Sequence, residues 1–139
     1  MNHRGTEAQR SKSARQESRD SLSERVIGLA IEVHRGLGPG LLESAYEECL
    51  AYELKNAGMA FARQVPLPVI YKSVKLDCGY RMDFVVDRNL VIELKTVERL
   101  LPIHDAQLLT YLKLGNLKTG LLLNFHAAVL REGIRRMIL

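Results

Sequence analysis

The sequence predicts one α/β domain in which a mixed β-sheet is flanked by helices on both faces. Apolar residues recur at helical spacing in two early segments, and several later segments alternate or are almost wholly apolar, as strands are. The predicted order is helix, helix, three strands, helix, strand, strand. Its strand–helix–strand unit favours a right-handed crossover between parallel strands, and the short turn before it favours an antiparallel hairpin.

Length and composition are those of one globular domain. The chain has 139 residues, of which 47% are hydrophobic and 26% charged, enough for one core. No apolar run approaches the ~18 residues of a membrane span, and no membrane association is expected. The polar N-terminus lacks the apolar core of a signal peptide, and Cys49 and Cys78 lack a metal-binding spacing, so we expect a reduced, cytoplasmic setting. The net charge of +4 permits contacts with nucleic-acid phosphates without requiring them.

Residues 1–20 are predicted to be a disordered polar tail, and 21–139 the folded domain. The tail mixes Ser, Arg, Lys, Gln and Glu without apolar periodicity, so burial cannot offset the entropy cost of ordering it. A basic arm that touches nucleic acid is the alternative, which the acidic residues of the segment disfavour. Helix should begin near Ser21, because Ser21 and Glu24 have the spacing of a capping box.

The first helix should end at residues 36–40, Gly-Leu-Gly-Pro-Gly, where glycine favours a left-handed cap and proline cannot continue the helix. A second helix is predicted from about Leu41 to Asn56, with Tyr46 packing on its apolar face. Two prolines in the first strand suit a sheet edge. The remaining predicted elements are strands Phe61–Tyr71, Tyr80–Val86 and Leu90–Thr96, helix Pro102–Leu114, and strands Thr119–Phe125 and Gly133–Ile138.

Two neighbouring predicted strands each carry an acidic residue within an apolar run. Asp83 lies in Arg-Met-Asp-Phe-Val-Val (81–86), and Glu93 lies in Leu-Val-Ile-Glu-Leu-Lys (90–95). Burying a carboxylate is costly unless it is paired or binds a metal. Glu93 and Lys95 are two residues apart and project from one face of their strand. A buried ion pair that only holds the sheet together is the structural alternative, but a second acidic residue across a short turn favours a functional site.

The turn at 87–89 determines how the two carboxylates face each other. If these residues form a three-residue loop, Asp83 lies opposite Glu93 on one face, with Cβ atoms ~4.5–5.5 Å apart. Two carboxylates at that separation can share one metal. The same register sets Arg81 opposite Lys95, and these like charges predict that the strands splay or bulge there, or that Arg81 turns toward Glu43 or solvent.

These residues resemble the core motif of the PD-(D/E)XK nuclease superfamily, with Asp83 followed by Glu93-Leu-Lys95 and with Met82 in place of proline. Residues 40–46, Gly-Leu-Leu-Glu-Ser-Ala-Tyr, are similar to the signature of the GxxExxY protein family within it. The resemblance runs from about residue 21 to 139 and implies a restriction-endonuclease-like fold. It also includes the segments 64–69, 71–72, 79–83, 107–112 and 120–125.

The resemblance implies a site for Mg²⁺ or Mn²⁺. Asp83 and Glu93 would ligate the metal, with the Leu94 carbonyl as a further ligand. Lys95 would orient or help deprotonate the attacking water and stabilise charge on the phosphate. Glu43 would bond the metal or its water, although its place in the first turn of a helix also fits plain helix stabilisation. Without metal, the crowded carboxylates should raise at least one pKa.

Gln107 and Tyr111 are four residues apart and share a helical face. They resemble the helical QxxxY element of some superfamily members, which contacts substrate or positions the lysine. The alternative is that Tyr111 is partly buried core and Gln107 is its neighbour. The sequence leaves both interpretations open.

The resemblance implies a metal-dependent nuclease that hydrolyses phosphodiester bonds of DNA or RNA. The alternative is a catalytically idle nuclease-fold module that binds nucleic acid or a protein partner, because a fold can outlive its activity. The complete set of Glu43, Asp83, Glu93 and Lys95 favours the enzyme. Little of the chain remains for a specificity domain, which makes a homodimer or a protein partner a candidate source of further substrate contacts.

Overall fold

A computed structural model describes residues 3–139, with the side chains of 17, 18 and 20–139. The helices are α1 (His3–Leu37), α2 (Glu43–Asn56) and α3 (Pro102–Gly115), and a short 3₁₀ helix spans Leu130–Gly133. The strands are β1 (Phe61–Pro66), β2 (Val69–Tyr71), β3 (Val74–Leu76), β4 (Arg81–Val86), β5 (Leu90–Lys95), β6 (Thr119–Asn124) and β7 (Ile134–Ile138).

The main sheet of the described chain has the strand order β1-β4-β5-β6-β7. Strands β5 and β6 are parallel and joined through α3, while the other neighbours are antiparallel. The predicted crossover, the antiparallel hairpin and the edge position of β1 are therefore confirmed. Among the described residues no helix combines the length and the apolar character needed to cross a membrane.

Two apolar cores lie on opposite faces of the sheet, which confirms the mixed sheet flanked by helices. The first core packs α1 and α2 against Phe84, Ile92 and Leu94. The second packs α3 against Met82 and Val91. In β6, Gly120 allows this helix to lie close, because a Cβ there would meet Leu108 Cδ1 at 2.8 Å.

Helix α1 begins at His3 rather than near Ser21, so the predicted helix start is wrong. Helix-favouring Ala, Arg, Lys, Gln and Glu fill the polar segment, and no proline interrupts it, so the helix can extend from its packed half. Among the side chains that the structure describes, those of α1 that pack against the core begin at Leu22 and Val26. The placement of 1–20 outside the folded domain stays a prediction, and residues 1 and 2 lie outside the described part of the chain.

The predicted strand Phe61–Tyr71 is in fact two strands. β1 ends at Pro66, and β2 leaves the main sheet to pair with β3 in a small hairpin that the sequence pattern did not predict. The hairpin turn places Lys72 and Ser73 at φ 48° and 67°, a left-handed conformation that Gly or Asn would have signalled in advance. Side chains of both strands are largely exposed, so no buried periodicity marks them.

Candidate functional site

The β4–β5 hairpin is regular at its turn and irregular at its open end. Three pairs define the ladder, Val86 with Leu90, Val85 with Val91 and Phe84 with Ile92. This register confirms the predicted three-residue loop, in which the Asn89 N–H donates to the Val86 carbonyl at 3.0 Å.

The ladder of this hairpin ends before Asp83 and Glu93. The strands are therefore unpaired at Arg81 and Lys95, as expected, but the ladder also lacks the expected pair of Asp83 with Glu93. Side chains replace the ladder there. The Asp83 N–H donates to Glu93 Oε1 at 3.0 Å, and the Leu94 N–H donates to Asp83 Oδ2 at 2.8 Å. Each carboxylate is therefore anchored by the backbone of the opposite strand, and the two acids lie side by side.

Glu93 is a buried acid, only 5% exposed. Its pKa is raised from an ordinary 4.5 to about 8, first by desolvation and then by the neighbouring charge of Asp83. The Asp83 N–H and Lys95 oppose this rise only in part. The expectation that crowded carboxylates raise at least one pKa is confirmed, although burial outweighs charge repulsion as the cause.

Glu43 opens α2 and faces the same charges. Its pKa is raised, by desolvation first and then by Asp83, while Lys95 acts in the opposite direction. The fold therefore brings Glu43, Asp83, Glu93 and Lys95 into one electrostatic neighbourhood. The Leu94 N–H donates a hydrogen bond to the Asp83 carboxylate. The role of the Leu94 carbonyl as a metal ligand stays a prediction.

A chain of two hydrogen bonds from α3, called here the Lys95 relay, holds the Lys95 side chain. Its Nζ donates to Gln107 Oε1 at 3.3 Å, and Gln107 Nε2 donates to the Tyr111 hydroxyl at 3.0 Å. Tyr111 is 5% exposed, and desolvation followed by the charge of Glu93 raises its pKa. Tyr111 is buried, as the core interpretation expects, and Gln107 bonds both Tyr111 and Lys95. A role of the pair in positioning the lysine or contacting substrate stays a prediction.

The candidate metal donors are close together but are not arranged around a metal position. Among the described residues no group of three or more His, Cys, Asp or Glu side chains is arranged to hold a metal ion. The carboxylates of Asp83 and Glu93 are instead turned toward backbone N–H groups. The donors of these carboxylates are nonetheless all oxygen atoms and lie close together. One of them belongs to the buried Glu93, whose charge Lys95 offsets only in part. Oxygen atoms are the ligands that Mg²⁺ prefers. The residues therefore fit such a cation once the side chains turn toward it.

Sequence reasoning missed two residues at this site. Gln64 Nε2 donates to Asp83 Oδ1 at 3.3 Å and also to Glu47 Oε1. Glu47 lies one helical turn after Glu43 and also pairs with Arg63 at 2.8 Å. A signal was present in the sequence, because Gln64 opens one of the segments that carry the family resemblance and Glu47 follows Glu43 at helical spacing.

Asn124 was also missed, and it supports the end of β5 beside Lys95. Its Oδ1 accepts from the Val97 N–H at 3.1 Å, and its Nδ2 donates to the Val97 carbonyl at 2.8 Å. The Phe125 N–H donates to the Lys95 carbonyl at 2.9 Å. A polar residue ending an apolar strand was the available signal.

Tyr46 packs as predicted. Its ring is fully buried and stacks on Phe125 at 4.5 Å, and its hydroxyl donates to the Gly38 carbonyl at 2.6 Å while accepting from the Leu41 N–H at 3.1 Å. It thus holds the α1–α2 loop, and with it the start of α2 where Glu43 lies.

A cleft of about 520 Å³ adjoins the Lys95 relay. Gln107 and Tyr111 form the wall that it shares with the acidic site, and Tyr80 meets Tyr111 edge-on at 6.1 Å between ring centroids. The lining is mainly apolar and includes Val69, Tyr80, Ile103, His104, Thr110 and Leu114.

Comparison with known proteins identifies one family. A model described as PD-(D/E)XK nuclease superfamily matches residues 20–137, nearly the whole chain. No curated protein and no solved structure matches the chain. The narrower likeness to GxxExxY proteins remains an expectation.

Proposed function

From the premise that the chain belongs to the PD-(D/E)XK nuclease superfamily, we propose that it is a nuclease that hydrolyses phosphodiester bonds with Mg²⁺ or Mn²⁺. One observation supports this above all others, the mutual anchoring of Asp83 and Glu93 at the open end of the hairpin. A structural ion pair would place a cation on Glu93. Here Lys95 is bonded to Gln107 instead, and the pKa of Glu93 is raised to about 8.

Asp83, Glu93 and Glu43 are the residues proposed to hold the cation, with the Leu94 carbonyl as a further donor. When bound, the cation supplies positive charge for the phosphate and acidifies the attacking water. A cation would also offset the charge repulsion that raises the pKa of Glu93 and Glu43.

Lys95 is proposed to orient the water and to stabilise negative charge that develops on the phosphate. The relay through Gln107 and Tyr111 limits the rotation of a flexible side chain, so that its ammonium group is held near the acids before substrate binds. The net charge of +4 favours approach of a polyanion. The substrate class is therefore nucleic acid, DNA or RNA.

The idle binding module remains the second candidate because of one observation. In the described chain the acids do not form a group of three arranged around a metal position. If they stay turned toward backbone N–H groups in solution, the fold would bind nucleic acid or a protein partner without hydrolysing anything. A homodimer or partner chain would serve either function.

Labelled single- and double-stranded DNA and RNA, incubated with Mg²⁺, Mn²⁺ or EDTA, separate the two candidates. Cleavage should require the cation and fall by at least ~100-fold in Glu93→Gln and Asp83→Asn, because each loses a charged oxygen donor. Asp87→Asn is the matched control, since this acid lies at the opposite end of the same hairpin. Wild-type cleavage by folded Glu93→Gln would rule out the proposed nuclease.

A further inference from the structure

Gln64 has an uncommon backbone conformation in the middle of an edge strand. Its φ is 50°, in the left-handed region, although residues on both sides of it pair regularly with β4. Such a conformation is strained for a non-glycine residue, because its Cβ lies too close to the following carbonyl oxygen, and it is uncommon outside turns. It persists only where surrounding contacts enforce it, and such sites concentrate where function requires them.

The left-handed residue does not insert an extra residue into the sheet. Arg63 pairs with Phe84 and Val65 with Met82 in the same register, and the ladder omits only the Gln64–Asp83 position between them. What changes is the face of the sheet on which the side chains of these strands pack. Phe84 packs in the core of α1 and α2, whereas Val65 and Met82 pack in the core of α3. Gln64 and Asp83 therefore occupy the point at which both strands exchange faces.

At that point the Gln64 amide bridges two acids. A side-chain NH₂ group has two hydrogens, and here one goes to Asp83 Oδ1 and the other to Glu47 Oε1. The second oxygen of Asp83 is held by the Leu94 N–H. Both oxygens of this carboxylate are thus positioned by uncharged donors.

The absence of charge distinguishes this contact from the one beside it. Arg63 forms ion pairs with Glu47 and Glu48, at 2.8 and 2.5 Å, and so offsets the charge of two acids of α2 rather than that of Asp83. A cation at position 64 would do the same to Asp83 and would compete with a divalent metal. An amide can direct the carboxylate and leave its charge available.

We propose that Gln64 is a positioning residue for the metal site: its left-handed backbone sets an uncharged amide between Glu47 and Asp83, which aims the Asp83 carboxylate beside Glu93 with its charge intact. This inference rests on the metal-binding half of the proposed function. It does not depend on which nucleic acid is cleaved.

Three variants of the full chain test this inference. Gln64→Gly accepts the left-handed backbone and removes the amide, Gln64→Asn accepts the same backbone and keeps a shorter amide, and Gln64→Lys adds a charge. Asp87→Gly is the matched control, because Asp87 also has a left-handed φ of 51° but lies at the turn. Unfolding without metal identifies any general loss of stability.

Metal affinity is the primary measurement, taken from the rise of the melting temperature with Mn²⁺ concentration. Removing a group that orients a metal ligand costs 10–100-fold in affinity as a rule, so Gln64→Gly should need at least ~10-fold more Mn²⁺ for the same shift. Gln64→Lys should lose at least as much, Gln64→Asn less, and Asp87→Gly nothing. A purely structural role predicts altered unfolding without metal and unchanged affinity.

Each outcome decides the matter. Wild-type Mn²⁺ affinity in folded Gln64→Gly or Gln64→Lys would overturn the proposal. A wild-type chain whose melting temperature ignores Mn²⁺ and Mg²⁺ would overturn it together with the metal site. Metal binding that depends on Gln64, without cleavage of any substrate, would support the positioning role and remove only the proposed reaction.

Discussion

The two ends of the β4–β5 hairpin differ in what holds them together. At the turn end, the fully buried side chains of Phe84, Val86 and Ile92 pack under a regular ladder. At the open end, Asp83 and Glu93 replace the ladder with bonds from side chain to backbone. Burial of apolar side chains stabilises the turn end, whereas burial of an acid destabilises the open end. The turn end therefore fixes the register of the two strands, and that register brings the two acids together at the open end.

The largest effect is expected from Phe84→Ala at the turn end. The ring is fully buried and lies 5.9 Å from the ring of Phe61 between centroids, and removing such a ring from a core costs about 3–5 kcal/mol. Urea unfolding measures the loss. The folded fraction should keep its melting-temperature response to Mn²⁺, since no acid moves. A loss below ~1 kcal/mol would contradict the assignment of stability to this end.

The opposite sign is expected from Glu93→Gln at the open end. Because folding raises the pKa of Glu93 from 4.5 to about 8, the folded state favours the protonated acid. Its ionisation costs nothing below pH ~4.5, and the cost grows as pH rises toward 8, at up to ~1.4 kcal/mol per pH unit. Without metal, the variant should match wild type at pH 4.5 and exceed it at pH 8 by roughly 3–4 kcal/mol.

Chemical unfolding with EDTA at pH 4.5, 6 and 8 measures this difference. Glu98→Gln is the control, because Glu98 is an exposed acid after β5. A variant less stable than wild type at pH 8 would show that Glu93 stabilises the open end rather than straining it.

A smaller effect is expected from the relay that orients Lys95. Gln107→Ala removes the acceptor for its ammonium group and should lower kcat about 10-fold, which corresponds to about 1.4 kcal/mol, with little change in KM or in melting temperature. Tyr111→Phe removes only the hydroxyl farther along the relay and should do less. Equal kcat values for Gln107→Ala and wild type would show that the lysine is oriented by other contacts.

The smallest effect is expected at the turn itself. Asp87 has φ 51° and its side chain is exposed. Asp87→Gly therefore relieves backbone strain in the folded state and raises the conformational entropy of the unfolded chain. The two effects oppose each other, and the net change should lie within about 1 kcal/mol. Thermal unfolding checks it, and nuclease activity should be unchanged. Lost activity would mean that the turn, and not only the open end, contributes to the site.

Local pattern was sufficient for much of the fold. The end of the first helix, the second helix and the apolar strands at β4, β5 and β6 were predicted within a few residues, because each signal repeats along a short stretch of chain. The register of the β4–β5 hairpin was also predictable, since loop length sets register in a hairpin. The β2–β3 hairpin was missed because its exposed strands carry no apolar pattern.

The sequence by itself determined the fold class and the hairpin register, since spacing along the chain is enough for both. It pointed to the acids and the lysine of the candidate site only through their resemblance to a family motif. Only the tertiary structure decided the exchange of faces at Gln64 and Asp83 and the bridge to Glu47. It also decided the raised pKa of Glu93. These depend on desolvation and on contacts between residues far apart in the chain. Such quantities exist only after helices and sheet have packed together.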